Sequence, residues 1–244
     1  MSMRIDRLLS NAGYGTRKEV KQLIRRHRVS CDGRPVDNPG RILTESDYSL
    51  VEVDGRRIHP VHTLHLAMHK PAGYVTAAED KWFPTVSELI PAEFSHAGLF
   101  PVGRLDKDTT GLLLFTNDGT LAHRLISPKW GIQKTYRVET KGEEFKESDI
   151  DSFAAGIVLD DFKCKSAELV IRGPHRADLT LTEGKYHQVK RMMMATGREV
   201  ISLKRLSMST IDLNGLDAQG DMRQLSAAEA QSLYFETNLP QPII

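Results

Sequence analysis

The sequence predicts an α+β protein. A small N-terminal domain of helices and short strands precedes a larger domain built on a mixed, largely antiparallel sheet. Three observations predict this. Beyond residue 63 strand-like runs outnumber helical ones, with no regular strand–helix–strand alternation. Turn signals such as Asn117-Asp118-Gly119 and Glu183-Gly184 separate the runs and are expected to close hairpins. Charge also divides the chain: residues 1–34 hold nine Lys/Arg against three Asp/Glu, or +6, so the other 210 carry −5. A basic head on a mildly acidic body suits contact with a polyanion.

The remaining composition narrows the class. At 244 residues, 40% hydrophobic and 27% charged, the chain is ordinary globular material, which excludes disorder and low-complexity arrays. Two cysteines, Cys31 and Cys164, cannot build a disulfide framework or a four-cysteine zinc site. No apolar run reaches the roughly 18 residues needed to cross a bilayer. Arg4, Asp6 and Arg7 interrupt the N-terminal stretch where a signal peptide needs continuous apolar sequence. A cytoplasmic protein without membrane contact is expected.

In chain order, Arg4–Asn11 reads as a short helix stopped at Gly13. Thr16-x-x-Glu19 forms a capping box opening a second helix, about Arg17–His27. Val20, Leu23, Ile24 and His27 share its apolar face. Arg17, Lys18, Lys21, Arg25 and Arg28 gather on the adjacent flank and are the expected RNA-binding residues. Val29–Asp32 is a strand entering an Asp-Gly turn, and Ser49–Val53 another before Asp54-Gly55. The segment His59-Pro60-Val61-His62 looks like a linker. It divides the chain into domains 1–62 and 63–244.

In the larger domain the expected strands are Leu64–His69, Tyr74–Ala77, Gly111–Thr116, Thr135–Thr140, Ala167–Ile171, Ala177–Thr182 and Val200–Leu203. The expected helices are Thr85–Ile90, Thr120–Ile126, Glu147–Ala155, Tyr186–Thr196 and Ala227–Tyr234, the last capped by Ser226-x-x-Glu229. Met192-Met193-Met194 is assigned mainly to core packing.

Candidate chemistry concentrates in two segments. In Gly103-Arg104-Leu105-Asp106-Lys107-Asp108-Thr109-Thr110-Gly111, a charged loop runs straight into an apolar strand. There a carboxylate can be tuned for nucleophilic or acid–base work. Asp106 and Asp108, two apart, point the same way in extended backbone. Three readings follow: a carboxylate pair for glycosidic chemistry, an Asp-x-Asp metal site, or a structural loop. In Glu183-Gly184-Lys185-Tyr186-His187-Gln188-Val189-Lys190-Arg191, the cations Lys185, His187, Lys190 and Arg191 cluster at a helix start that favours anions. Tyr136, between Lys134 and Arg137 on an alternating strand, is either a packing residue or a platform for a base. Histidines 59, 62, 65 and 69 do not have the spacing of a metal site.

These segments resemble the motifs of the ribosomal-RNA pseudouridine synthases of the RsuA type. Gly103-Arg104-Leu105-Asp106-x-Asp108-Thr109-Thr110-Gly111-Leu112 is similar to the family's signature, and His69-Lys70-Pro71-x-Gly73 to its first motif. Lys134-Thr135-Tyr136, Glu183 through Met192, and Leu203-Lys204-Arg205 resemble the others, in the family's order. The N-terminal segment is similar to the S-four-like RNA-binding domain, named for a small-subunit ribosomal protein.

The resemblance implies a pseudouridine-synthase catalytic sheet with a central cleft, no metal and no organic cofactor. It implies catalytic roles for three residues: Asp106 as the aspartate, Lys190 as its ionic partner where related families carry arginine, and Tyr136 stacked on the target uracil. Arg104 is expected to reach the gap left by the flipped nucleotide and Leu203 to form an apolar floor. Lys70, Lys185, His187 and Arg191 are expected as further substrate contacts. Asp108 is expected to play a supporting role, because it stands too near Asp106 to flank one bond. The implied substrate is a uridine in ribosomal RNA, in the small-subunit (16S) molecule, within a pre-ribosomal particle, handled by a monomer. The alternatives are a large-subunit enzyme of the same family and a non-catalytic assembly factor.

Overall fold

A computed structural model of the chain describes residues 2–12, 14–15, 17–58, 63–95 and 97–240. The Gly13 helix stop, the Thr16 cap and the linker histidines His59 and His62 lie outside the described residues. The chain forms two compact units. The first takes the described residues between Met1 and Leu64 and between Pro91 and Leu99. The second takes His65–Ile90 and those from Phe100 onward.

In the first unit, strand β1 (Ser2–Arg4) leads into helices α1 (Ile5–Asn11) and α2 (Arg17–Arg25). Strands β2 (Val29–Cys31), β3 (Arg34–Pro35) and β4 (Ile42–Thr44), helix α3 (Glu45–Tyr48), and strands β5 (Val51–Val53) and β6 (Arg56–Arg57) follow. β1 pairs with β4, while β3-β2-β5-β6 form an antiparallel sheet. Its two hairpins turn at Asp32-Gly33 and Asp54-Gly55, with positive φ at all four residues. That is the turn whose twist suits paired strands and for which Asp-Gly is selected. Ile5, Leu9, Val20, Ile24, Leu43 and Val51 are fully buried at the centre. Helix α3 was not expected; it ends just before the Ser49–Val53 strand reading, of which β5 takes Val51–Val53, and Thr44 and Asp47 close a capping box at its start.

The basic flank needs one correction. Arg17, Lys18, Lys21 and Arg25 lie exposed on α2. The helix ends at Arg25, however, and His27 turns left-handed at φ 54 and is exposed rather than packed. Arg28 therefore leaves the helix, and both arms of its guanidinium donate to the Asp54 carboxylate.

The second unit carries a nine-stranded sheet. Its strands are β7 (His65–Lys70), β8 (Phe100–Pro101), β9 (Thr110–Thr116), β10 (Lys134–Gly142), β11 (Glu168–Gly173), β12 (Arg176–Leu181), β13 (Arg198–Met208), β14 (Ile211–Asp212) and β15 (Met222–Gln224). The order is β11-β12-β10-β13-β9-β7-β15, with β14 beside β13 and β8 beside β9. All pairings are antiparallel except β9 with β13, which confirms the mixed, largely antiparallel expectation. Helices α4 (Gly119–Ile126), α5 (Glu147–Ala155), α6 (Gln188–Ala195) and α7 (Ala227–Glu236) complete the unit. Leu112, Leu114, Leu121, Leu125, Met208 and Tyr234 pack one core face between sheet and helices. Among the described residues no helix is long and apolar enough to cross a membrane.

Some local expectations change. Asn117-Asp118-Gly119 closes no hairpin: the Asp118 carboxylate accepts the Thr120 and Leu121 N–H groups and starts α4, while Tyr234 Oη donates to its other oxygen at 2.7 Å. Hairpins fall instead at Pro174-His175, between β11 and β12, and at Ser209-Thr210, between β13 and β14. Tyr74–Ala77 is not a strand; only Val75 bridges, to Thr85. The Thr85–Ile90 helix is a single 3-10 turn, Val86–Leu89. Met192 and Met193 are buried as assigned, but Met194 is exposed. His65 and His69 are buried, His65 Nδ1 on Thr116 Oγ1 and His69 Nδ1 on the Leu216 carbonyl.

Candidate active site

The charged loop before β9 is held by the segment that follows β7. The Leu105 N–H donates to Thr76 Oγ1 at 3.0 Å, and the same hydroxyl donates to the Leu105 carbonyl at 2.8 Å. The Gly73 N–H donates to the Lys107 carbonyl, and the Thr109 N–H to that of Asp106, closing a turn. Lys70 completes the clamp. Fully buried, its ammonium donates to the carbonyls of Pro71 and Thr109 at 2.9 Å and leans on that of Lys107 at 3.4 Å. Lys70 is therefore no substrate contact. All its directed bonds go to backbone, so it positions the loop carrying Asp106.

The turn aims Asp106 at the start of α6. Asp106 Oδ2 lies 3.2 Å from Lys190 Nζ, and Oδ1 lies 3.4 Å from His187 Nε2. Lys190 also donates to both oxygens of Asp108, at 2.6 and 2.8 Å. The two carboxylates do face the same way, but through a turn, and the lysine bridges them. Burial by itself would lower the Lys190 pKa; its bonds to Asp108 and Asp106 outweigh burial and raise it. For Asp108, burial pushes the carboxyl up and Lys190 more than compensates, leaving it below its usual range.

Asp106 opens on a small, half-open cleft with a cavity volume of about 80 Å³. Tyr136, Leu181 and Leu203 form its apolar lining, with Arg104, Lys185, His187, Gln188 and Lys190 among the polar residues. Tyr136 and Leu203 are nearly buried, whereas Arg104 is exposed at the rim. Tyr136 comes from β10 and Leu203 from β13, two strands whose register shifts between Thr135 and Tyr136. Such bulges re-aim a side chain beside a site. Arg191 does not reach the cleft: its guanidinium pairs with Asp161 and lies over the Phe162 ring. Lys185 Nζ also sits over Phe162, 3.3 Å from the ring centre.

Two residues here were not expected. Gln188, almost fully buried, donates to Glu183 Oε1 at 2.7 Å and accepts the Lys185 N–H at 2.9 Å, which shapes the entry to α6. Thr76 is the other, through its clip on Leu105. The only sequence signal for Gln188 is its place within the Glu183–Met192 motif; Thr76 lies outside every motif. His187 precedes α6 in left-handed conformation, φ 49, a strained geometry for a non-glycine residue beside a site. Among the described residues, no group of three or more His, Cys, Asp or Glu side chains could hold a metal ion.

Strands β10 and β13 also bury two cations. Lys134 Nζ donates to the Ile132 carbonyl, and Arg205 Nε donates to that of Leu112 at 2.7 Å. Burial, helped by Arg205, pulls Lys134 down to about 8; burial pulls Lys70 to about 8 against Asp108 and Asp106. Between pH 8 and the ordinary lysine value of 10.5, the unfolded chain binds protons that these folded lysines do not. Their contribution to stability therefore rises with pH across that window. Urea midpoints of the unsubstituted chain and Lys134→Met should converge or cross in favour of the unsubstituted chain as pH rises. A gap constant with pH would show that Lys134 is not perturbed.

Two family models match this chain. The RNA pseudouridylate synthase family matches residues 64–195, and the S4 domain matches residues 3–47. The chain belongs to the RNA pseudouridylate synthase family. Within it, an uncharacterized RNA pseudouridine synthase of Bacillus subtilis is 42% identical over 236 residues, covering 95% of this chain and 98% of the relative. The ribosomal small subunit pseudouridine synthase A of Escherichia coli is 36% identical, covering 95% and 100%. The ribosomal large subunit pseudouridine synthase B of Bacillus subtilis is 35% identical, covering 94% and 95%. A crystal structure of a pseudouridylate synthase superposes with TM-score 0.66 at 30% identity, covering 95% of this chain and 99% of the other. The resemblance to RsuA-type enzymes and the fold that it implied are both borne out.

Lys190 offers a direct check on the site's electrostatics. Lys190→Met keeps the length and removes the charge. Activity should fall, because the cation 3.2 Å from the Asp106 carboxylate is removed while the side-chain length is kept. Full single-turnover activity would take Lys190 out of the site.

Proposed function

We propose that this chain isomerises a uridine of small-subunit (16S) ribosomal RNA to pseudouridine. The observation that carries the reading is Asp106, held by Lys190 and His187 at the mouth of a cleft lined by Tyr136 and Leu203. The reaction breaks the bond from the sugar to uracil N1, turns the base and rejoins it through carbon-5. Attack on the sugar carbon and assistance of proton loss from the sugar both need an ionised carboxylate oxygen facing the ribose, which Asp106 supplies. Tyr136 and Leu203 sandwich the uracil. Arg104, at the rim, fills the gap that the flipped nucleotide leaves. Extruding that nucleotide costs about a few kcal/mol, which backbone contacts offset.

The subunit assignment is supported by relatives named as small-subunit enzymes, 36–38% identical over 93% or more of the chain. A relative named as a large-subunit enzyme, 35% identical over 94% of the chain, matches as well and supplies the competing reading. Residues 1–62 serve as the RNA-binding domain and 63–244 as the catalytic one, in a cytoplasmic monomer working on a pre-ribosomal particle. Tritium release from carbon-5-labelled 16S and 23S RNA is the test. Release from 16S supports the proposal, release from 23S alone transfers it to the large subunit, and none from either returns the chain to a binding role.

The basic face of α2 supplies affinity rather than chemistry. Each lost phosphate contact should flatten the salt dependence of log K by about 0.7–0.9. Replacing the exposed Lys18, Lys21 and Arg25 together with Ala should therefore lower the slope by up to about 2–3 while leaving saturated turnover intact. Arg28 is left alone because its Asp54 pair belongs to the fold. Identical slopes would make the flank a merely solvated surface.

A further inference from the structure

Trp82 is 85% exposed, and Phe83 beside it 45%. A tryptophan left this open forfeits a large apolar burial that folding ordinarily gains. A single exposed ring is not a site, but here the surroundings are built. The Asp80 carboxylate accepts the N–H groups of Trp82 and Phe83, at 2.8 and 3.0 Å, which fixes both residues in one turn. Lys107 Nζ stands 3.4 Å from the centre of the Phe83 ring. Lys107 lies between Asp106 and Asp108, so its Cα is about 3.8 Å from that of Asp106. The turn is thereby tied to the loop that carries the carboxylate.

The remaining exposed aromatic at the site behaves differently. Tyr186 stacks on His187, with ring centres 3.8 Å apart. Trp82 has no ring or cation contact among the described residues. Lys81 and Lys107 lie in the same neighbourhood, and the Asp80 charge is engaged by the turn's own amides. An open π-face with nearby cations, next to the reacting loop, fits an unpaired base on a phosphate backbone.

Resting on the RNA substrate proposed above, we propose that Trp82 is a stacking platform for an unpaired nucleobase close to the target uridine in the strand. Phe83 and Lys107 fix the platform relative to Asp106. The platform selects sites where the target's neighbours are single-stranded or can be unstacked, and it reads no base edges. Trp82 is thus a positioning residue for the substrate strand, separate from the chemistry at Asp106.

Tryptophan emission tests this in the full-length chain. The only other tryptophan, Trp130, packs partly buried against the core beneath Arg124. In a Trp130→Phe background, single-stranded oligouridylate should quench Trp82 emission, and an RNA duplex of equal length should not. Trp82→Ala should weaken oligouridylate binding by roughly five- to hundredfold. It should raise KM for labelled rRNA with little change in kcat, and Trp82→Phe should recover most of the loss. Unchanged emission together with an unchanged Kd would overturn the proposal, as would an emission change on adding ribosomal proteins but not RNA. Tritium release by the unsubstituted protein separates the two readings. If it occurs while Trp82→Ala binds and turns over normally, only the platform falls; if it is absent, the enzymatic reading falls first.

Discussion

Asp106→Asn should abolish tritium release while leaving the protein folded and RNA-bound. The amide nearly matches the carboxylate in shape, but it can neither attack a sugar carbon as an anion nor accept its proton. A loss of more than about a thousandfold in single-turnover rate is expected. Stability should change little. The carboxylate's partners are Lys190 at 3.2 Å and His187 at 3.4 Å, in a cleft where all three side chains are part-exposed. Such ion pairs contribute about 0–1 kcal/mol. Lys190 also keeps two shorter bonds to Asp108, so the cation remains tethered. Asp108→Asn should cost much less activity, since Asp108 touches the site only through that lysine and its side chain is 72% exposed. Retention of a tenth of the rate by the Asp106 variant, or equal losses at the two positions, would displace Asp106 from the chemistry.

What the sequence revealed, and what it hid, follows from the range of the forces involved. Helix α5 and strands β7 and β9 were legible because local apolar pattern and flanking breakers agree. Asp106, Tyr136, Lys190 and Leu203 were legible as motif residues, and the fold brings them to one cleft. Strand β13 is far longer than the expected Val200–Leu203, because Lys204, Arg205 and Ser207 look like loop material. Only tertiary structure shows that Arg205 is buried and bonded to the Leu112 carbonyl. Lys70 and Arg191 misled for the opposite reason. Their charge suggests substrate, yet one spends its ammonium on loop carbonyls and the other pairs with Asp161. Asp118 was read as a turn residue because a cap and a hairpin share the same residue types.

Gly111→Ala should be the most damaging single substitution in the second unit. Gly111 sits at φ +102, and a Cβ there would lie 2.2 Å from the Arg205 carbonyl oxygen and 2.6 Å from its nitrogen. These are backbone atoms, so no side chain can swing aside. The contact falls where Thr110 and Gly111 pair with Lys204 and Arg205, the strand pairing of β9 with β13 that the Arg205 bond to the Leu112 carbonyl reinforces. That link joins β11-β12-β10-β13 to β9-β7-β15. Opening it separates the loop bearing Asp106 from the strands bearing Tyr136 and Leu203, so activity and stability should fall together. Backbone strain costs about 1–3 kcal/mol, and losing the pairing should bring the total above about 4 kcal/mol, among the largest single-residue effects. For a chain of this size, that is a drop of about 8–16 °C in Tm. Gly131→Ala is the control: φ is also positive, at +63, but nothing lies within 4 Å of the added atom. It should show the strain alone. If thermal unfolding of Gly111→Ala stays within a degree or two of Gly131→Ala, the close approach at Arg205 does not hold the two halves of the sheet together.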